Sequence, residues 1–267
     1  MRLTATNPNL IKGLTIHPKQ IKSPNEADIF RPAGNNTKLG GSTDYIGFLQ
    51  KENKREKQNV ITAKKWQGQK FYSSTLIERE TCPTDCKVWS ICYGNSMGFA
   101  HRMQHGQELL DGMMWELKGL TVKNRNKPFV VRPHVLGDFY SLEYVSQWDK
   151  ALSEFPINVF GYTAYLPTSE NSKYAEIGKA IIELRNKHKD RFWIRQSGSD
   201  NHTMTALTYS NNNAQQQLAN KTAFICPQQT KKSKRFWMGD FQPKKAKNCA
   251  SCGLCWTTTK NVVFLDH

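Results

Sequence analysis

The chain has 267 residues, 38% of them hydrophobic, so it can bury a sizeable core in one domain or in a domain with additions. Its 38 Lys and Arg exceed its 22 Asp and Glu, and a net charge of +16 favours polyanionic partners at low salt. No secretory signal and no apolar run of roughly 18 residues is present, which excludes the usual secreted and membrane-spanning classes and predicts a cytoplasmic protein. The alternative meaning of the charge is a basic proteome with solvated lysines.

Residues 1–58 contain turn-forming clusters, such as Pro32-Ala33-Gly34 and Gly40-Gly41-Ser42, that interrupt any periodic pattern. We predict a loosely organised N-terminal arm for this stretch. From residue 59 to residue 225 the pattern predicts an α/β core domain. Residues 226–267 are predicted to form a cysteine-rich, metal-binding C-terminal segment.

The core is predicted to alternate strands and helices. A strand over 71–76 enters a cysteine loop, and a helix over 96–118 leaves it, ended by Gly119. Further strands are predicted at 128–135, 157–164, 192–196, 222–225 and 262–265, separated by helical segments at 141–154 and 169–189 and by a polar segment at 201–220. Intervals of about thirty residues suit parallel βα units. The predicted fold class is α/β, an incomplete or modified βα (TIM-like) barrel with a cysteine-rich C-terminal appendage.

All seven cysteines belong to two sets that suggest metal ligation. Cys82, Cys86 and Cys92 have the spacing C-x3-C-x5-C, and the other set is Cys226, Cys249, Cys252 and Cys255. Disulfides are rare in a reducing compartment, and thiolates close in sequence can converge at little loop-closure cost. All seven residues are therefore candidate metal ligands.

The spacing favours iron and sulfur over zinc. The run C-x2-C-x2-C from Cys249 to Cys255 is tighter than a zinc knuckle needs and can wrap a [4Fe–4S] cluster. The seven thiolates can bind one or two clusters. A cluster on the set of three has one iron without a cysteine ligand, and a cluster on the set of four has a cysteine ligand at every iron. Two alternatives stay open: zinc as the metal, and one cluster that draws ligands from both sets.

The residues Phe71 to Leu76, followed by Thr81-Cys82-Pro83, Cys92-Tyr93 and Gly137-Asp138, resemble the phage gene-product-88 proteins. The arrangement is more distantly similar to radical S-adenosylmethionine enzymes. The resemblance to the radical enzymes implies a [4Fe–4S] cluster on the first cysteine loop, with S-adenosylmethionine bound at its unique iron. The resemblance to phage proteins implies a location in the host cytoplasm. The usual spacing in those enzymes is C-x3-C-x2-C, and no Gly-Gly-Glu-like segment is present here.

Polar residues at the ends of predicted strands are candidate ligand-binding residues, because α/β domains bind ligands at the carboxyl ends of their strands. These residues are Asp138, Tyr162, Thr163, Arg195 and Gln196. For Asp138 the alternative is an N-cap of the following helix, a role that Ser141 can also fill. For the others the alternative is ordinary loop packing. No catalytic residue can be assigned.

His101 and His105 lie four residues apart on the predicted helix after the cysteine loop, but no H-E-x-x-H pattern accompanies them. We interpret them as solvent-facing side chains or neighbours of the cluster, and not as ligands. Neither a phosphate-binding G-x-x-x-x-G-K-[ST] nor a G-x-G-x-x-G motif is present, which argues against nucleotide-hydrolysing and Rossmann enzymes.

The densest basic run is Lys231 to Trp237, followed by Lys244 to Lys247. Lysines for phosphates and aromatic rings for bases would suit a single-stranded nucleic acid. The alternative is a solvated loop between ligand cysteines. The sequence therefore supports two hypotheses: an iron–sulfur protein with a small-molecule ligand at its cluster, and a non-enzymatic nucleic-acid-binding protein whose metal sites are structural.

Overall fold

The computed structural model describes residues 3–4, 15–16, 21–24, 29–32, 60–89, 92, 94, 100–198, 204–209, 223–227 and 249–265. The strands are β1 (Leu3–Thr4), β2 (Thr15–Ile16), β3 (Ile21–Lys22), β4 (Arg31–Pro32), β5 (Phe71–Ser73), β6 (Arg102–Met103), β7 (Phe129–Arg132), β8 (Ile157–Thr163), β9 (Phe192–Ser197), β10 (Thr205–Tyr209), β11 (Ala223–Ile225) and β12 (Asn261–Leu265). The helices are α1 (Glu78–Thr81), α2 (Gln107–Lys123), α3 (Leu142–Glu154), α4 (Ser172–Lys187) and α5 (Cys249–Cys252), with a 3-10 helix at Leu254–Trp256.

Within the described residues, eight strands form one mixed sheet in the order β11-β12-β10-β9-β8-β7-β5-β4. Seven of them run parallel, and β4 pairs antiparallel with β5 at one edge. Strands β5, β7, β8, β9 and β10 are neighbours in chain order, so each crossover advances the sheet in the same direction. The predicted α/β class with a parallel sheet is confirmed. The strand pairings neither close this sheet into a barrel nor exclude such closure.

The two faces of the sheet carry different layers. Side chains that alternate along the strands, such as Val131, Val159 and Ile194, pack against α2, α3 and α4. Their neighbours in sequence face the opposite way, and Val130 and Phe160 pack against Trp256 of the C-terminal segment. We call this second surface the inner face. Right-handed crossovers that advance in one direction place their helices, α2, α3 and α4, on the same side of the sheet, which leaves the inner face to another part of the chain.

Capping side chains begin two of the helices where the sequence places them. Ser141 accepts a hydrogen bond from the Tyr144 amide at 3.1 Å at the start of α3, and Asn171 accepts one from the Tyr174 amide at 3.4 Å at the start of α4. The N-cap of α3 is therefore Ser141, and Asp138 is free for another role.

The helix after the cysteine loop differs from the prediction at both ends. It begins at Gln107, not near residue 96, and it continues past Gly119 to Lys123. One glycine costs a helix only about 1 kcal/mol, and the buried side chains of Leu109, Met113 and Leu117 outweigh that cost. His101 and His105 consequently lie before the helix, on either side of β6, so their predicted helical placement is wrong.

The polar segment predicted over 201–220 contains a strand that we did not expect. Strand β10, Thr205–Tyr209, lies between β9 and β12 in the sheet. Its Thr-Ala-Leu-Thr-Tyr sequence is short, and the neighbouring Asn and Gln residues make the whole stretch resemble a polar loop. The predicted last strand is confirmed as β12, which pairs with β10 and β11 inside the main sheet. No helix in the part of the chain that the structure describes is long and apolar enough to cross a membrane.

Candidate metal centres

The first cysteine loop follows β5 and therefore begins at the carboxyl edge of the parallel sheet. Backbone hydrogen bonds join its start to the segment after β7: the Leu76 amide donates to Leu136 O at 3.0 Å, and the Val135 amide donates to Ser74 O at 2.8 Å. The short helix α1 then delivers Cys82, whose amide donates to Glu78 O at 3.1 Å. The loop is thus fixed to two strand ends at its entry.

A buried ion pair fixes the loop further along. Arg102 of β6 donates from Nε and Nη2 to the two carboxylate oxygens of Glu78, at 2.7 and 2.8 Å, and both side chains are 1% exposed. Arg102 Nη1 also donates to Ala100 O at 2.9 Å. A bidentate pair of this kind has a defined geometry, so it holds α1 and the end of the loop at a fixed separation.

The three thiols of this loop are partly buried and influence one another. Burial raises the pKa of Cys82 well above its ordinary value, and Asp138 and the neighbouring thiols Cys86 and Cys92 add to the rise. Burial likewise raises the pKa of Cys86 to about 12, although the Val88 amide that donates to its sulfur acts in the opposite direction. The charge of Cys92 thus contributes to the raised pKa of both Cys82 and Cys86.

Cys92 lies nearest the cationic side of this group. Burial raises the pKa of its thiol, whereas a hydrogen bond from the Gly94 amide and the charges of Arg79 and Arg102 lower it. Amide donors and nearby cations stabilise the thiolate, which is the form that binds metals.

Asp138 lies beside the cysteine loop. Gly137 has a φ of +83°, and an added Cβ would lie 2.6 Å from Leu76 Cβ and 2.7 Å from Thr81 Oγ1. Only glycine fits this contact, which brings the Asp138 amide to 3.2 Å from Thr81 Oγ1.

The Asp138 carboxyl group is buried and bonds to the segments that follow β7 and end β8. It accepts hydrogen bonds from the Phe139 amide at 2.7 Å and the Ala164 amide at 2.6 Å, with Thr163 as a side-chain donor. Burial nevertheless raises the pKa of Asp138 to about 7. Asp138 and Thr163, two of the predicted site residues, are thus brought together beside the cysteine loop.

A cavity of about 280 Å³ adjoins the loop. Asp85 and Lys87 line one side of it, from positions flanking Cys86, and Ser197 at the end of β9 lines another. The remaining wall comes from the segment after β8, namely Ala164, Leu166, Thr168, Ser169 and Glu170. Ser169 donates to the Asp85 carboxylate at 2.6 Å, so this wall is tied to the cysteine loop. The cavity is lined by both polar and apolar groups and is large enough for a small molecule.

The second set of cysteines meets on the inner face. Cys226, Cys252 and Cys255 pack against a buried apolar group that includes Phe224 and Val262. Cys249 and Cys255 pack against a second apolar group formed around Phe160 and Trp256. Cysteines separated by more than twenty residues in the chain therefore share one surface.

Tyr162 of β8 reaches this set of thiols, with its hydroxyl 3.1 Å from Cys255 Sγ. Burial raises its pKa, and Cys255, Cys249 and Cys226 raise it further. Arg195, on the same face of β9, holds the segment in place by donating to Cys255 O at 3.0 Å and to Lys260 O at 2.7 Å. The structure thus assigns these two predicted site residues to the inner face and not to the loop.

Gln196 points to the opposite side of β9 from Arg195. Its side chain is 1% exposed, and among the described residues its amide group has no hydrogen-bond partner. It joins neither set of cysteines. The predicted basic runs, Lys231 to Trp237 and Lys244 to Lys247, lie outside the described residues.

Glu78 and its partner Arg102 belong to the loop site but were not among the residues predicted from the sequence. Nothing in the stretch Ile77 to Glu80 separates a buried glutamate from an exposed one, and the two partners are 24 residues apart. Only the folded chain shows that they meet.

In the described part of the chain, no group of three or more His, Cys, Asp or Glu side chains is arranged to hold a metal ion. The family model described as Gene product 88 matches residues 47–258 of the chain. No curated protein and no solved structure matches it with significance, so the distant similarity to radical S-adenosylmethionine enzymes gains no support from these comparisons.

Proposed function

The chain belongs to the Gene product 88 family, a phage gene-product family, and we propose that it binds a [4Fe–4S] cluster through Cys82, Cys86 and Cys92. The observation that carries the proposal is the placement of three partly buried cysteines on one loop at the carboxyl edge of a parallel sheet. Ligands of α/β proteins bind at this edge. The donor set suits the group, because thiolates are the usual ligands of iron–sulfur clusters.

The backbone around the thiols supports this assignment. The amides of Val88 and Gly94 donate to the sulfurs of Cys86 and Cys92. Hydrogen bonds to sulfur tune the potential of such clusters. A four-iron cube carries an iron at each of four corners, so its thiolates need not converge on a single point as the ligands of one zinc ion do.

A cluster held by three thiolates supplies one iron with a free coordination position. The cavity beside Asp85 and Lys87 offers space for a small-molecule ligand at the same edge of the sheet. S-adenosylmethionine is the finer proposal for this ligand, and it rests on the distant resemblance alone. Cleavage of S-adenosylmethionine under strong reductant tests it, and absence of cleavage would leave a binding or redox role.

The finer proposal for the fold is an incomplete βα barrel. The sequential order of β5, β7, β8, β9 and β10, with the helices on one face, supports it. An experimental structure tests it by the approach of β4 to β11: a flat sheet with these edge strands far apart would contradict a barrel.

Anaerobic purification followed by iron and acid-labile sulfide analysis tests the cluster directly. We expect a brown protein with iron and sulfide in equal amounts, and we expect Cys86→Ser to lose the iron of this loop. The matched control is Asp85→Asn, which changes the adjacent side chain but removes no thiol, and it should keep its iron. A colourless protein with stoichiometric zinc would contradict the proposal.

The second candidate function is a non-enzymatic nucleic-acid-binding protein with structural zinc or iron–sulfur sites. It is favoured by the net charge of +16 and by the basic run at Lys231 to Trp237. We expect salt-dependent binding to single-stranded DNA or RNA that weakens when Lys231, Lys232 and Arg235 are changed together. Unchanged affinity in that variant would remove this candidate.

A further inference from the structure

We propose that Cys226, Cys249, Cys252 and Cys255 hold a second, closed iron–sulfur cluster on the inner face of the sheet, with Tyr162 donating a hydrogen bond to the sulfur of Cys255. This proposal goes beyond the function proposed above, because it uses none of the residues of the first loop.

The run from Cys249 to Cys255 folds so that its thiols can share one ligand. Helix α5 separates Cys249 from Cys252 by three residues, which places the two side chains on one face of the turn. Gly253 then reverses the chain with a φ of +68°, and the 3-10 helix that follows carries Cys255. An added Cβ at Gly253 would lie 2.5 Å from Ala63 Cβ, so this turn requires glycine.

The fourth thiol arrives from a different strand. Cys226 directly follows β11, and its amide donates to Val263 O of β12 at 2.9 Å. This bond extends the β11–β12 pairing by one residue and fixes the Cys226 backbone against the sheet. Cys226 packs with Cys252 and Cys255 around the same apolar side chains. A closed four-thiolate set needs such a ligand from outside the C-x2-C-x2-C run.

Tyr162 reaches the set from β8. Its hydroxyl lies 3.1 Å from Cys255 Sγ. A phenol is protonated at neutral pH and can donate a hydrogen bond to a thiolate. The Leu254 amide is a second donor, to the sulfur of Cys252. The sulfurs of Cys255 and Cys252 thus each lie beside a hydrogen-bond donor.

The walls around the four cysteines exclude water from the proposed cluster. The walls are apolar, from Phe224, Leu254 and Val262, all less than one tenth exposed. An iron–sulfur cluster with four thiolates carries net negative charge and needs a nearby cation in such a place. Arg132 of β7 supplies it, since its guanidinium carbon lies 5.8 Å from the centre of the Tyr162 ring.

The segment is also held rigidly. Arg195 is fully buried and donates to the carbonyl groups of Cys255, Thr258 and Lys260. The amides of Thr62 and Ala63 donate to Ala250 O at 2.9 and 3.0 Å. A cluster with four thiolate ligands and such fixed walls has no free iron, so its role is to relay electrons or to stabilise the fold, and not to bind a substrate.

Iron and sulfide analysis of the full chain, with variants from each set, tests the proposal. We expect about eight iron atoms per chain in the unchanged protein and about four in both Cys252→Ser and Cys86→Ser, as two cubes require. If Cys86→Ser removes all iron and Cys252→Ser removes none, the second cluster is refuted and the first stands. If the unchanged protein holds about four iron atoms and each of the two substitutions removes all of them, one shared cluster replaces both proposals. Stoichiometric zinc in Cys86→Ser would also overturn the second cluster.

A milder variant keeps the test independent of folding. Tyr162→Phe removes only the hydroxyl group, so it should retain all the iron. We expect it to shift one of two reduction potentials to a more negative value, since a hydrogen bond to sulfur stabilises the reduced cluster. A potential that does not move in Tyr162→Phe, or a shift of the signal that Cys86→Ser removes, would contradict the placement of the cluster at Tyr162.

Discussion

The two sets of cysteines occupy different environments in one sheet. The loop that carries Cys82, Cys86 and Cys92 is held by polar contacts, above all the bidentate pair between Glu78 and Arg102, and it borders a cavity. The inner-face set is held by apolar packing around Trp256 and Val262. A site that binds a ligand needs hydrogen bonds and ion pairs that hold its walls apart around an open cavity. A closed site needs no such cavity, so apolar side chains can pack around it on all sides. The difference supports an open role for the loop and a closed role for the inner face.

Loss of the buried ion pair should have the largest effect on the loop. Arg102→Met removes the partner of Glu78, whose carboxylate is 1% exposed, and leaves an uncompensated buried charge. We expect the free energy of unfolding to fall by about 3 to 5 kcal/mol, measured by urea denaturation, with loss of the loop's iron.

The matched control is Lys187→Met, which breaks the exposed pair between Lys187 and Asp149. The Lys187 side chain is 59% exposed, so we expect a change of less than about 1 kcal/mol. Equal effects of the two substitutions would show that the Glu78 pair does not hold the loop.

On the inner face the equivalent test removes packing instead of charge. Trp256 is 1% exposed, stacks on Trp66 with ring centroids 5.4 Å apart and lies 4.3 Å from the ring of Phe160. Trp256→Ala should lower the free energy of unfolding by about 3 to 5 kcal/mol. It should lose the iron of the inner face and keep that of the loop. Trp115, which is 77% exposed, provides the control: Trp115→Ala should change stability by less than about 0.5 kcal/mol. Iron lost from both sites would mean that the two regions unfold together.

Much of the sheet could be predicted from the sequence, because the buried parallel strands read as short β-rich runs. The runs that became β7, β8, β9 and β12 are each rich in Val, Ile or Phe. Strand β10 could not be found in this way, since Thr205 to Tyr209 alternates and lies among Asn and Gln residues. Its place in the sheet depends on β9 and β12, which lie on either side of it.

For the candidate sites, residue types could be predicted but their grouping could not. Asp138 could be placed at the sheet edge because it follows a strand through a Gly-Asp turn. Tyr162 and Arg195 also end strands, yet they face the opposite surface because alternate residues of a strand point to opposite sides. The sequence cannot show which surface the C-terminal cysteines will cover, and therefore it cannot pair Tyr162 with Cys255.

A pair of glycines can separate the two regions more finely. Gly137→Ala would press against Leu76 and Thr81 beside the loop, and Gly253→Ala would press against Ala63 on the inner face. Each combines a positive φ with a close contact, so each should cost about 2 to 4 kcal/mol. We expect Gly137→Ala to lose only the loop's iron and Gly253→Ala only that of the inner face. The same iron loss in both variants would contradict two independent centres.

The polar construction of the loop region should also appear as two opposing pH dependences. Burial and Arg132 lower the pKa of His134 to about 3, so its stabilising contribution is present above its unfolded pKa and is lost as the pH falls below about 6.5. Burial raises the pKa of Asp138 to about 7, so its contribution has the opposite sign and grows as the pH falls below 7.

Between pH 7 and pH 5 these two contributions nearly cancel in the unchanged protein. In Asp138→Asn only the contribution of His134 remains, so the free energy of unfolding should fall by about 2 kcal/mol from pH 7 to pH 5, whereas in His134→Phe it should rise by about 2 kcal/mol. Urea denaturation without added metal, at several pH values, measures both slopes. Parallel slopes in the two variants would show that these groups do not titrate as their burial requires. Trp256→Ala, which changes only the apolar inner face, should keep the pH dependence of the unchanged protein.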